Sequence, residues 1–184
     1  MLEYLLILGF FIFYVSVLGV LDKKRDWRSI RNAFVMGVVI AVLSAVVQTI
    51  PSGFYPSFYS SMIRIILIAP LTEEALKFYG CLRYFAKRIP IESTRKAALY
   101  GYGVGLSFGT FETLIVAFIG YPLIGIFLRV LLTIPMHTIA ALISAYGIGY
   151  TFRTGKRQYY SLLFLGSAVT IHLLFNYFAF LVQP

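Results

Sequence analysis

Charge is what this sequence has least of. Only 12% of its 184 residues are charged, against 60% hydrophobic. An average soluble domain carries about 25% charged and about 45–50% apolar residues. Too few charges remain to wet the surface of a soluble globule, and so apolar a chain does not stay disordered. Cysteine is scarcer still. Cys81 stands alone, which excludes an internal disulfide scaffold and leaves the redox compartment open. Acidic residues number 7 against 16 basic ones, for a net charge of +9. In a soluble protein that excess would point to nucleic acid. Here the basic residues fall in short segments between apolar runs, so no nucleic-acid partner is expected. There is no low-complexity tract and no obvious repeat. The length fits one compact membrane domain over 1–184, with no room for a second.

A bilayer core of about 30 Å is crossed by about 20 apolar helical residues. Six runs meet that need: Leu2–Leu21, Asn32–Ile50, Ser61–Phe85, Lys96–Ile119, Leu123–Tyr150 and Tyr159–Val182. Backbone groups in lipid must satisfy one another, which makes these runs helices. They lack the period-2 alternation of a barrel strand. The expected fold is therefore all-α, an integral bundle of six transmembrane helices. The first run has no basic n-region and no small-residue cleavage site after it, so it reads as an anchor rather than a signal peptide.

The connections set an orientation. Lys23, Lys24, Arg25, Arg28 and Arg31 lie in the first, Arg83, Lys87, Arg88, Arg95 and Lys96 in the third, and Arg153, Lys156 and Arg157 in the fifth. The second and fourth, Pro51–Ser60 and Gly120–Pro122, carry no charge. Basic connections face the cytoplasm, which places both termini outside and the chain in the cell membrane as a multi-pass protein. Phe54, Tyr55, Phe58 and Tyr59 in the second connection read as an interfacial aromatic belt.

Against this apolar background some residues are out of place. Glu73, Glu74, Lys77, Glu112, Arg129, His137, His172 and Asn176 all lie inside expected spans. A charge at mid-helix costs about 2.5–3.5 kcal/mol on the insertion scale, and such residues mark functional sites by default. At 1.5 Å per residue, Glu73 and Glu74 lie about 18 Å below the outer surface, with His137 at a similar depth. Glu112 and His172 rise from the inside to overlapping levels. Four helices thus bring carboxylates and imidazoles together. The spacing Glu73/Lys77 is i,i+4 and predicts a pair, as His172/Asn176 predicts a shared face. Pro70 and Pro135 precede the acidic pair and His137, and each removes a backbone hydrogen bond and kinks its helix. The run from Gly101 to Gly109 is no phosphate loop, because no strand precedes it. Gly105-x-x-x-Gly109 instead permits close helix contact and would press Glu112 against its neighbours.

Two chemistries use this set. In one, Glu73 is a general base that activates water for attack on a peptide carbonyl, while His137, His172 and Asn176 orient the water and stabilise the oxyanion. In the other, zinc is held by His137, His172 and Glu112 or Glu74, with Glu73 as base. A proton-coupled transporter would use the same residues as a relay. It needs polar access from both faces, and few polar residues lie in the spans below Lys77.

The blocks also form a recognisable series. Glu73-Glu74-Ala-Leu-Lys77, Phe108-Gly-Thr-Phe-Glu112, Arg129 with His137 and Gly147, and His172-Leu-Leu-Phe-Asn176 follow in order. Over about 61–180 this series resembles the PrsW family of intramembrane proteases, within a wider group that includes CAAX prenyl endopeptidases and bacteriocin-immunity-like proteins. The resemblance implies a membrane-embedded peptidase cutting a membrane-bound, anti-sigma-factor-like substrate on its extracytoplasmic side. It implies Glu73 and Glu74 as the central acidic pair, with Glu112, His137 and His172 completing the site and Lys77, Arg129 and Asn176 supporting it. Both a metallopeptidase and a glutamate protease fit the group. A prenyl-protein endopeptidase is the second choice.

Overall fold

The computed structural model describes residues 1–21, 26–52 (50–52 by backbone alone), 62–87, 93–155 and 159–181. Among these there are helices and no strand, as the sequence expects. The first two are α1 (Leu2–Leu21) and α2 (Trp27–Ser52). A π-helical turn at Arg64–Ile68 leads into α3 (Ala69–Ala86). Next come α4 (Thr94–Phe118) and then α5, a continuous rod of Leu123–Leu128, a second π-helical turn Arg129–Thr133, and Ile134–Thr154. The last is α6 (Tyr159–Leu181). The basic residues Lys23, Lys24, Arg25, Arg88, Lys156 and Arg157 and the aromatic belt Phe54, Tyr55, Phe58 and Tyr59 lie outside the described residues.

Five of the six helices, all but α3, are long and apolar enough to cross a bilayer, and the chain is a multi-pass membrane protein. α3 is the exception because its 18 residues include Glu73, Glu74, Lys77 and Arg83. A helix enclosed by others does not need an apolar surface all round. Local chemistry fixes several ends. The Ser93 side chain accepts the Lys96 amide at 3.1 Å and caps α4. Gly155, at φ 65°, closes α5 in the left-handed conformation that favours glycine.

α4 is the centre of the bundle. It packs most extensively on α5 and next on α2, while α3 lies against α2, α5 and α6. The α4–α5 contact is made by a stripe of glycines one turn apart. A Cβ on Gly101 would collide with the Ala141 carbonyl and the Ala145 methyl. One on Gly105 would strike the His137 carbonyl, and one on Gly109 would sit 3.1 Å from the His137 ring. Small residues are how helices associate in lipid, where burial offers little driving force. The expected Gly105/Gly109 contact is therefore present, and the helix it brings close is the one that carries His137. On the opposite side, Gly37 of α2 fits against Ser107 and the Val104 carbonyl.

Candidate active site

The stripe sets the height of α4 against α5, and the polar residues meet where the stripe ends. Glu112, one turn past Gly109, reaches His137 Nε2 with Oε2 at 2.9 Å and Arg129 with Oε1 at 2.8 Å. Arg129 is thereby part of the network. Around His137 the interior is closed. Glu74 and Lys77 are fully buried, and Glu73, His137 and His172 nearly so. The two imidazoles stand edge to face, 4.8 Å apart by ring centroids.

The adjacent carboxylates of α3 turn to different partners. Glu74 Oε1 accepts from Lys77 Nζ at 2.7 Å and from His172 Nδ1 at 2.9 Å. Lys77 Nζ also donates to His137 Nδ1 at 2.9 Å and lies 4.0 Å from the centre of the Phe108 ring. The expected Glu73–Lys77 pair is thus replaced by Glu74–Lys77. Helical neighbours three apart meet as readily as those four apart, and Glu73 is engaged elsewhere. Its Oε1 accepts from Gln48 Nε2 at 2.8 Å, and Gln48 also donates to Ser44 at 2.9 Å. Gln48 escaped notice in the sequence. An uncharged amide one turn from a serine in an apolar span was the available signal.

Glu73 Oε2 is buried with no hydrogen-bond partner among the described residues. It lies 4.0 Å from His137 Nδ1 and 3.9 Å from His172 Nε2. Glu73, His137 and His172 therefore offer three ligand atoms within 4.8 Å of one another, a group that could hold a metal ion. The expected metal set changes accordingly. Glu112 and Glu74 do not join the imidazoles at the centre, because each holds the far nitrogen of one ring, and Glu73 takes the third place. A carboxylate on the far nitrogen fixes the ring and its tautomer, as it does around metal-binding histidines. The residues present fit a metal on two grounds: this outer pairing, and a buried carboxylate oxygen left bare.

The prolines remove a backbone donor as expected, and each follows a π-helical turn. In each π-helical turn the closing bond spans five residues, Ala69 N–H to Arg64 O and Ile134 N–H to Arg129 O. The next donor in register would be residue 70 or 135, and both are proline. Ile65 O, left without that donor, accepts instead from Asn176 Nδ2 at 2.8 Å. Asn176 thus ties α6 to the start of α3, one turn from His172.

A helical membrane bundle with glutamates and histidines from four helices sunk in its interior has the build of an intramembrane enzyme. The chain matches the model of the PrsW family of intramembrane metalloproteases over residues 25–184 and belongs to that family. The match takes in α2, which carries Gln48, as well as the motif-bearing helices. No curated protein and no solved structure matches it.

Proposed function

We propose that this intramembrane protease hydrolyses a peptide bond of a membrane-bound protein with a water activated at Glu73. The observation that carries the reading is Glu73 Oε2, a buried carboxylate oxygen without a partner, facing two imidazole nitrogens. A carboxylate so placed accepts a proton from water as the oxygen attacks the carbonyl, and general-base help of this kind contributes about 10²–10⁴-fold. Gln48 holds the other oxygen and aims the free one. Glu74 and Glu112 accept the outer N–H of His172 and His137 and keep the rings in place, so that the inner nitrogens turn their lone pairs to the centre, where a lone pair can accept from a water or ligate a metal.

Metal assistance is supported by the outer pairing of both rings. Zinc suits the mixed nitrogen and oxygen donors. Were it held by Glu73, His137 and His172, Glu73 Oε2 would serve as a ligand in place of the base, and the ion would polarise the scissile carbonyl and acidify its bound water. The resemblance to the family favours an anti-sigma-factor-like substrate cut on its extracytoplasmic side.

Cleavage of a candidate membrane substrate by the purified protein tests the reading. Glu73→Gln and His137→Ala are expected to abolish the cut. Wild-type rates in both variants would overturn the assignment, and persistence of the cut after exhaustive chelation would remove the metal.

A further inference from the structure

Of the three atoms turned to the centre of the site, His137 Nδ1 alone is engaged by a hydrogen bond among the described residues. Glu73 Oε2 has no partner among the described residues, and His172 Nε2 lies 3.9 Å from that same oxygen. His137 Nδ1 is different, because Lys77 Nζ sits 2.9 Å from it. An ammonium only donates, so Nδ1 accepts with its lone pair and Nε2 carries the hydrogen given to the Glu112 carboxylate. The pair of electrons that a metal would need on His137 is the pair that Lys77 uses. Two cations cannot share it, and they repel strongly at that range.

Lys77 has somewhere else to go. It is already bonded to Glu74 Oε1 at 2.7 Å, and Glu74 Oε2 is buried without a partner among the described residues. Its position 4.0 Å from the centre of the Phe108 ring adds a cation–π attraction that stabilises the charge. We propose that Lys77 is a displaceable occupant of the metal site, holding His137 Nδ1 while no metal is bound and withdrawing onto the Glu74 carboxylate as a divalent cation takes the nitrogen. No proton changes place. The ammonium keeps its three hydrogens, and Nε2–H stays on Glu112. The lysine keeps α3 and α5 joined without metal, and it lowers the site's affinity for any ion that must displace it. The inference rests on the metal reading given above.

The test is cobalt(II) binding to the full-length protein in detergent, followed by the ion's visible absorption and by elemental analysis. Lys77→Met is expected to bind about tenfold more tightly or better, since it removes a charged hydrogen bond that the metal must otherwise break. Arg129→Gln removes a cation of the same network that touches no inner nitrogen, and it is expected to bring no gain. His137→Ala is expected to lose the band. Equal affinity in Lys77→Met and wild type overturns the displacement and leaves the metal reading standing. An equal gain in Arg129→Gln overturns it in favour of net charge. Absence of binding in every variant overturns both. If Lys77→Met fails to fold, the charge-balanced pair Glu74→Gln/Lys77→Met is compared with Glu74→Gln alone, and the same tenfold gain is expected.

Discussion

At the scale of the residue, Glu73 and Glu74 do different work because about 100° of helix rotation separates them. Glu73 faces α2 and the two imidazoles, with one oxygen held by Gln48 and one bare. Glu74 faces Lys77 and His172 and is bonded to both. Amide variants of Glu73 and of Glu112, which like Glu74 holds the far nitrogen of an imidazole, should therefore differ. Glu73→Gln keeps the shape and removes the base, and a loss of about 10²–10⁴ in kcat is expected. Glu112→Gln leaves the base intact but loosens His137, and the loss expected of such an outer partner is about 10–100-fold. Steady-state cleavage of one membrane substrate by both variants checks the order, and equal losses would show that the two carboxylates act as one unit. That these residues would meet was legible in the sequence, because an ionisable group in oil needs a reason to be there. Their pairing was not. Lys77 had glutamates both three and four residues before it, and only the rotation of α3 against α5 decides between them.

At the scale of the element, small residues and prolines position the chemistry. Gly105 lies flush on the His137 backbone, so any side chain there pushes α5, and His137 with it, away from α4. Gly105→Ala is expected to cost about 1–3 kcal/mol, the usual penalty of overpacking, and to lower activity beyond its effect on the amount of folded protein. Gly9, with open space around it on α1, is the control: Gly9→Ala should leave thermal stability in detergent unchanged or slightly raised. The glycine contact could be read from its four-residue spacing. The π-helical turns could not, since one extra residue in a turn leaves no mark in composition. They accompany Pro70 and Pro135, and at the first of them a tertiary donor, Asn176, takes the freed carbonyl. That donor gives a second expectation. Asn176→Ala strips the Ile65 carbonyl of its partner and should destabilise the protein by about 0.6–2 kcal/mol, the range for hydrogen bonds between membrane helices. Pro70→Ala restores a backbone N–H next to that carbonyl. The double variant should therefore melt closer to wild type than Asn176→Ala alone, and additive losses would show that Asn176 does something else.

At the scale of the whole molecule, helix order and charge together determine from which side the site is reached. The hydropathy runs marked nearly every helix, because a bilayer imposes one length on them all. They were least informative for α3, where the site itself replaces apolar residues with charged ones. Successive spans alternate in direction, so α3 and α5 run the same way, and each meets its π-helical turn before its site residues. The glutamates and His137 therefore lie below the ends of α3 and α5 that follow the uncharged connections. The basic connections lie at the opposite ends. The positive-inside rule leads us to expect those basic ends in the cytoplasm and a substrate that reaches Glu73 from outside. Sided labelling tests this directly. Cys81 is buried and stays silent, while Lys87 and Tyr121 are exposed at opposite ends of the bundle. In intact cells a membrane-impermeant thiol reagent should label Tyr121→Cys and reach Lys87→Cys only after the membrane is opened. The reverse pattern would invert the molecule and place the cut on the cytoplasmic side, since the geometry ties the site to the Tyr121 end whichever way that end faces.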